Sequence, residues 1–157
     1  MLSNQSCLNI ISFLKTYTEF YSELLALEEE KYDIISKNEI KLLDAIVVKE
    51  QAMILKSRGI EIERDKIVEK EVGEKVVFSK LLEMFTDEYK QEITDIFNQF
   101  SDILLQIKEI NYRCKSLTEL RLHKIGNAIS SIENKAKLKT EKPVKKYDNK
   151  GFITKKV

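Results

Sequence analysis

Apolar residues recur at three- and four-residue intervals through the first 136 residues of this 157-residue chain, and no proline interrupts them. The single proline, Pro143, comes later. Positions i, i+3, i+4 and i+7 share one face of an α-helix, so this spacing demands helices rather than strands. A chain patterned this way must bury its stripes helix against helix. Composition agrees: 34% charged and 43% hydrophobic residues with only four glycines favour long helices over sheets. At this length one domain or one extended bundle is expected.

The first helix is predicted over about residues 5–36. Phe13, Tyr17, Phe20, Leu24, Leu27 and Ile34 form one stripe, with Ile11, Leu14, Tyr21, Leu25, Tyr32 and Ile35 beside it. A face this wide needs two neighbouring helices or a guest. Phe13, Tyr17, Phe20 and Tyr21 are therefore either core or the lining of a groove. Ser36-Lys37-Asn38-Glu39 breaks the pattern, with Asn38 as the expected N-cap of a second helix. That helix carries Ile40, Leu43, Ile46, Val47, Met53 and Ile54. After Gly59 the chain is mostly charged and is expected to project into water before a turn at Gly73.

A short third helix follows with Val77, Phe78, Leu81, Leu82 and Phe85, bounded by Thr86-Asp87. The last helix is predicted from about Asp87 to Lys137, which at 1.5 Å per residue would run roughly 75 Å. Ile93, Phe97, Phe100, Leu104, Ile107, Asn111 and Cys114 hold a 4-3 rhythm there, with Ile96, Ile103, Ile110 and Leu117 repeating every seven residues alongside. The expected fold is all-α: an elongated, coiled-coil-like antiparallel bundle of two or three long helices plus a short helix over residues 1–136. A flexible, disordered basic tail is expected over 137–157.

The tail holds eight lysines against Glu141 and Asp148, a net +6, which leaves −5 on the preceding 136 residues of a chain whose net charge is +1. A nucleic-acid binder carries its positive charge on the folded part, so specific nucleic-acid binding is not expected. Tyr147 and Phe152 flank a D-N-x-G turn signal inside this charged stretch. They are either a short docking motif or two aromatics on a solvated linker.

Catalytic patterns are missing. There is no G-x-x-x-x-G-K-[ST], H-E-x-x-H or G-x-S-x-G, and His123 is the only histidine. Neither an enzyme, a cofactor nor a metal site is expected. Cys7 and Cys114, each among helical apolar positions, read as core thiols of a reducing compartment. The N-terminus lacks the basic and apolar regions of a secretory signal, and no apolar run approaches the ~20 residues of a membrane span. A cytoplasmic protein without membrane insertion is therefore expected. Glu28-Glu29-Glu30 reads as a solvated face, because adjacent residues point apart around a helix. Asn111 lies in the apolar rhythm, where a buried amide would set register or meet a partner helix.

The layout resembles the FlgN-like flagellar export chaperones over roughly residues 5–152. The resemblance rests on Leu24-Leu25-Ala26-Leu27-Glu28-Glu29-Glu30-Lys31-Tyr32 in the opening helix and on Lys49-Glu50 through Arg58 after the polar break. It rests also on Asn111-Tyr112-Arg113-Cys114-Lys115-Ser116-Leu117, similar to an N-x-x-N-x-x-L stretch with Cys114 in place of the second Asn. The Y-D-N-K-G tail is similar to tails of such chaperones from Gram-positive bacteria. The resemblance implies a non-enzymatic chaperone that binds the amphipathic terminal helices of hook-associated (hook–filament junction) proteins. Ile103, Ile107, Ile110, Asn111, Cys114 and Leu117 become candidate cargo contacts. Tyr147, with Phe152, becomes the candidate contact to the cytoplasmic domain of the export gate. The competing expectation is a structural coiled-coil or adaptor protein that self-associates through its helices, and a homodimer would use the same wide stripes.

Overall fold

The computed structural model describes residues 1–140 and is all-α, with three long helices and one short one. They are α1 (Asn4–Ser36), α2 (Ile40–Val72), α3 (Phe78–Met84) and α4 (Asp87–Thr140). The all-α expectation holds, as do the short third helix and the boundary at Asp87. The tail beyond residue 140, including Tyr147 and Phe152, lies outside the described residues.

Each boundary has a local cause. Ser3 caps α1, its hydroxyl accepting the Ser6 N–H at 3.1 Å. At the other end Asn38 adopts a left-handed conformation, φ 58°. Its N–H bonds the Ile35 carbonyl at 3.1 Å and the Glu39 N–H bonds the Ile34 carbonyl at 3.0 Å. This is a Schellman closure, and Asn tolerates the left-handed region better than most residues. Asn38 therefore ends α1 instead of capping α2. Glu39 holds the N-cap position of α2, with no side-chain bond to it. Gly73, at φ 89°, ends α2 by donating its N–H to Glu69 at 2.8 Å. Asp87 and Glu88 occupy the first turn of α4 and Lys137 and Lys139 its last turn, each sign suited to the helix dipole at that end.

Two compact units are distinguished, Met1–Tyr112 and Arg113 onward. In the first, α1 and α2 form an antiparallel hairpin, α3 closes its open end, and the start of α4 runs back along α1. The main core joins Cys7, Ile10, Leu14 and Tyr17 of α1 to Val68 of α2, Leu81 of α3, Phe85, and Ile93 and Ile96 of α4. The buried Leu2 donates its N–H to the Met84 carbonyl at 2.9 Å, tying the chain's start to the end of α3. A smaller core of Leu27, Ile34 and Ile46 lies beside the α1–α2 turn. Burial of each large side chain in these cores contributes about 1.5–3 kcal/mol.

The second half of α2 does not project into water. Val68 is buried, and Ile60, Ile67 and Val72 pack against the main core. These residues fall on one helical face, so sparse apolar positions suffice despite the charge around them. Of the second unit the structure describes the helical stretch Arg113–Thr140, the continuation of α4.

Candidate binding surface

The aromatic residues of α1 are core rather than groove. Tyr17 and Phe20 are buried, and Phe100 of α4 sits with its ring centroid 5.0 Å from Tyr17 and 5.4 Å from Tyr21. Their polar ends converge on α2. The Tyr21 hydroxyl donates to Glu61 Oε1 at 2.6 Å, and the Tyr17 hydroxyl donates to the same oxygen. Arg64 holds the other oxygen, Nη1 to Oε2, at 3.1 Å. Burial, then the bond to Glu61, pushes the Tyr21 hydroxyl up to about 12, and the same causes raise Tyr17 further. The arrangement locks α1 to α2 and leaves no reactive phenolate near neutral pH.

A second polar lock sits near the smaller core. Glu28 is only 3% exposed, which overturns its reading as a solvated residue; Glu29 and Glu30 are exposed as expected. Lys31 Nζ lies 2.8 Å from Glu28 Oε2 and 2.6 Å from Glu50 Oε2, bridging α1 to α2. Burial raises the Glu28 carboxyl despite the Lys31 contact. For Lys31, burial works against the charge, but the two carboxylates outweigh it and raise its value.

Along α4 the inward positions are Ile93, Ile96 and Ile103, all buried, with Phe100, Ile107 and Ile110 half-buried. Leu104 and Asn111, expected in the same stripe, are exposed. A repeat of 3.5 residues drifts around a helix of 3.6, so members of the 4-3 line turn outward while the seven-residue line beside it turns in. Asn111 is thus no buried register residue. Of the remaining candidates, Cys114 is buried and Leu117 half-buried. Cys7 and Cys114 are both buried thiols, as expected of core positions.

Further apolar surface lies along α4, in part at Ile125 and Ile132, where the apolar spacing of the sequence resumes after Leu117. In the first unit Leu105 and Tyr112 are exposed. In the second unit Leu120, Ile125, Ile132 and Leu138 are exposed, the last at 83%. The signal was present: a helix that keeps apolar residues off its packed stripe has surface for a partner. This surface suits the apolar face of another helix better than a small molecule. A cleft between α1, α2 and α3 lined by Leu14, Arg64, Val68 and Phe78 holds about 250 Å³, and one between α1 and α2 lined by Phe13, Tyr17, Ile60 and Ile67 about 330 Å³, both at the small end for such a ligand. Among the described residues, no group of three or more His, Cys, Asp or Glu side chains is placed to hold a metal ion. No described helix is long and apolar enough to cross a membrane.

Neither the curated proteins nor the solved structures give a match to this chain. A family model described as FlgN protein matches residues 6–144, from the start of α1 to beyond the end of α4. That match takes in all four helices, and the chain belongs to the FlgN family.

Proposed function

We propose that this protein is a flagellar type III export chaperone that binds the amphipathic terminal helices of hook-associated proteins, prevents their premature assembly and delivers them to the export gate. The FlgN family is non-enzymatic, and membership over residues 6–144 is the observation that carries the reading. Exposed apolar side chains on α4 support it, because an amphipathic guest helix needs an apolar surface on which to lay its own stripe. Such burial removes apolar area from water at about 25 cal/mol per Å², less the cost of ordering the guest. A chaperone that must later release its cargo works in the cytoplasm with a moderate affinity of this kind.

We assign cargo contact to Ile103, Ile107, Ile110, Asn111, Cys114 and Leu117. Asn111 is exposed and Ile107, Ile110 and Leu117 are half-exposed, so these four are accessible without rearrangement. Ile103 and Cys114 contribute only if their present covering shifts. Tyr147, assisted by Phe152, is assigned to the cytoplasmic domain of the export gate. Co-expression with the hook-associated proteins of the same genome tests the reading. A stable complex with at least one of them is expected, and a folded chaperone that retains none overturns it. Within such a complex, Tyr147→Ala should leave cargo retention intact and weaken gate binding; equal loss of both would move the tail into the cargo site.

A further inference from the structure

The face of α2 turned away from α1 carries an unpartnered seam. Ala45, Val48, Ala52, Leu55, Gly59 and Ile62 follow steps of three and four residues, and all six are exposed. The three large ones stand seven residues apart and are 65%, 67% and 57% exposed. The buried residues Ile46 and Val68 lie on the opposite side of the helix. Scattered exposed apolar residues are ordinary, but an unbroken a/d heptad register is the pattern of a helix that pairs with another.

Gly59 adds a separate argument. A Cβ there would meet nothing within 4 Å, so the monomer's own packing does not require glycine. Mid-helix glycine weakens a helix relative to alanine. With Ala45 and Ala52 it provides small layers through which a second helix can approach closely.

The charges beside the seam select the occupant. We infer that α2 pairs in parallel with α2 of a second copy of this chain. In a parallel pair each g position faces the e position five residues on in the other helix. Asp44 then faces Lys49 of the second copy, Arg58 faces Glu63, and Asp65 faces Lys70. The fourth such pair, Gln51 with Lys56, is neutral with positive. Asp65 also pairs with Arg64 of its own helix at 2.9 Å, so the first two pairs carry most of the discrimination. An antiparallel pair covering the same six seam residues would set Lys49 against Lys56 and Asp44 against Asp65. Like charges in those positions oppose that arrangement. The seam and its flanks from Asp44 to Lys70 run roughly 40 Å, at 1.5 Å per residue.

This inference goes beyond the chaperone reading and does not depend on it, since its test needs no cargo. Light scattering on the full chain should show molar mass rising from one chain to two as concentration increases. Leu55→Glu, at an exposed site, should keep the helical circular dichroism and weaken self-association by more than about tenfold, or 1.4 kcal/mol. Gly59→Leu should also weaken it while leaving the monomer folded. Orientation is read with Ile62→Cys in a background lacking Cys7 and Cys114. Parallel pairing sets the two Cys side chains opposite each other, so mild oxidation should give a covalent dimer. Antiparallel pairing holds them more than about 20 Å apart. A chain that stays monomeric, a dimer indifferent to Leu55→Glu, or a dimer that Ile62→Cys does not crosslink overturns the inference. A monomer whose Leu55→Glu variant loses a hook-associated protein would give this face to cargo and likewise overturn it.

Discussion

In the first compact unit Ile10, Phe85 and Ile93 are fully enclosed, whereas in the described part of the second Leu120, Ile125, Ile132 and Leu138 stand in solvent. The two regions draw on the same residue types and the same helical spacing. What differs is whether neighbouring elements of the chain cover the stripe. Residues 1–112 bring four elements around one core, and both core clusters among the described residues lie wholly before Tyr112. The enclosed side chains of the first region hold the fold, whereas Leu120, Ile125, Ile132 and Leu138 offer apolar surface to other molecules.

The largest expected effect lies in the enclosed region. Phe85→Ala should cost about 3–5 kcal/mol in denaturant unfolding, because it empties the point where α1, α3 and α4 meet. A comparable loss from Ile132→Ala would erase the distinction between the regions; a change within about 0.5 kcal/mol is expected there.

Next comes the carboxylate shared by Tyr17 and Tyr21. Glu61→Ala leaves two hydroxyls without their acceptor and should cost about 1–3 kcal/mol. The same site gives an alkaline signature. An unfolded tyrosine ionises near 10, whereas folded Tyr21 holds its proton to about 12. Above pH 10 the unfolded state therefore releases protons that the folded state keeps, and stability falls through that window. Tyr21→Phe should flatten this part of the pH–stability curve, measured by thermal unfolding.

A smaller effect is expected at Glu28. Its folded value is raised, so the stability tied to its proton is present in acid and is lost as pH rises through the raised value. Glu28→Gln should match or slightly exceed the wild type at pH 7. That advantage should shrink as pH falls through the carboxylate range, which parallel denaturation series would show.

The smallest change in stability, and the largest in binding, belongs to the exposed region. Ile125→Asp with Ile132→Asp should alter unfolding by no more than about 0.5 kcal/mol. Retention of a hook-associated protein should fall by about tenfold or more. Unchanged retention would remove Ile125 and Ile132 from the cargo surface.

Most of the fold was readable from residue spacing, and its departures have physical reasons. Gly73 and Asp87 mark boundaries in the sequence because a left-handed turn and a helix dipole ask for those residue types. Asn38 serves either end of a helix, and only the Ile35 and Ile34 carbonyl bonds decide which. The burial of Val68 was hidden by the charges around it, since four apolar residues on one face outweigh a polar local average. Glu28 looked solvated because its partner Glu50 and the shared Lys31 come together only when the hairpin closes. The candidate surface was less legible. A 4-3 rhythm and its seven-residue neighbour compete for one inward face, and Ile103 goes in while Leu104 and Asn111 go out. Spacing alone could not settle that choice, which depends on where Tyr17 and Tyr21 meet Phe100.

The bond from Leu2 to Met84 also bears on how the chain is made. Leu2 is synthesised more than eighty residues before Met84, whose carbonyl accepts its N–H. At bacterial-scale elongation of about 5–20 residues per second, Cys7, Ile10 and Leu14 wait roughly 4–17 seconds for Phe85 and Ile93. Once α2 is complete at Val72, and until Phe85 and Ile93 are added, the α1–α2 hairpin shows an open apolar end. A member of the FlgN family thus carries exposed helical surface of its own during synthesis, and covers it only when the start of α4 arrives.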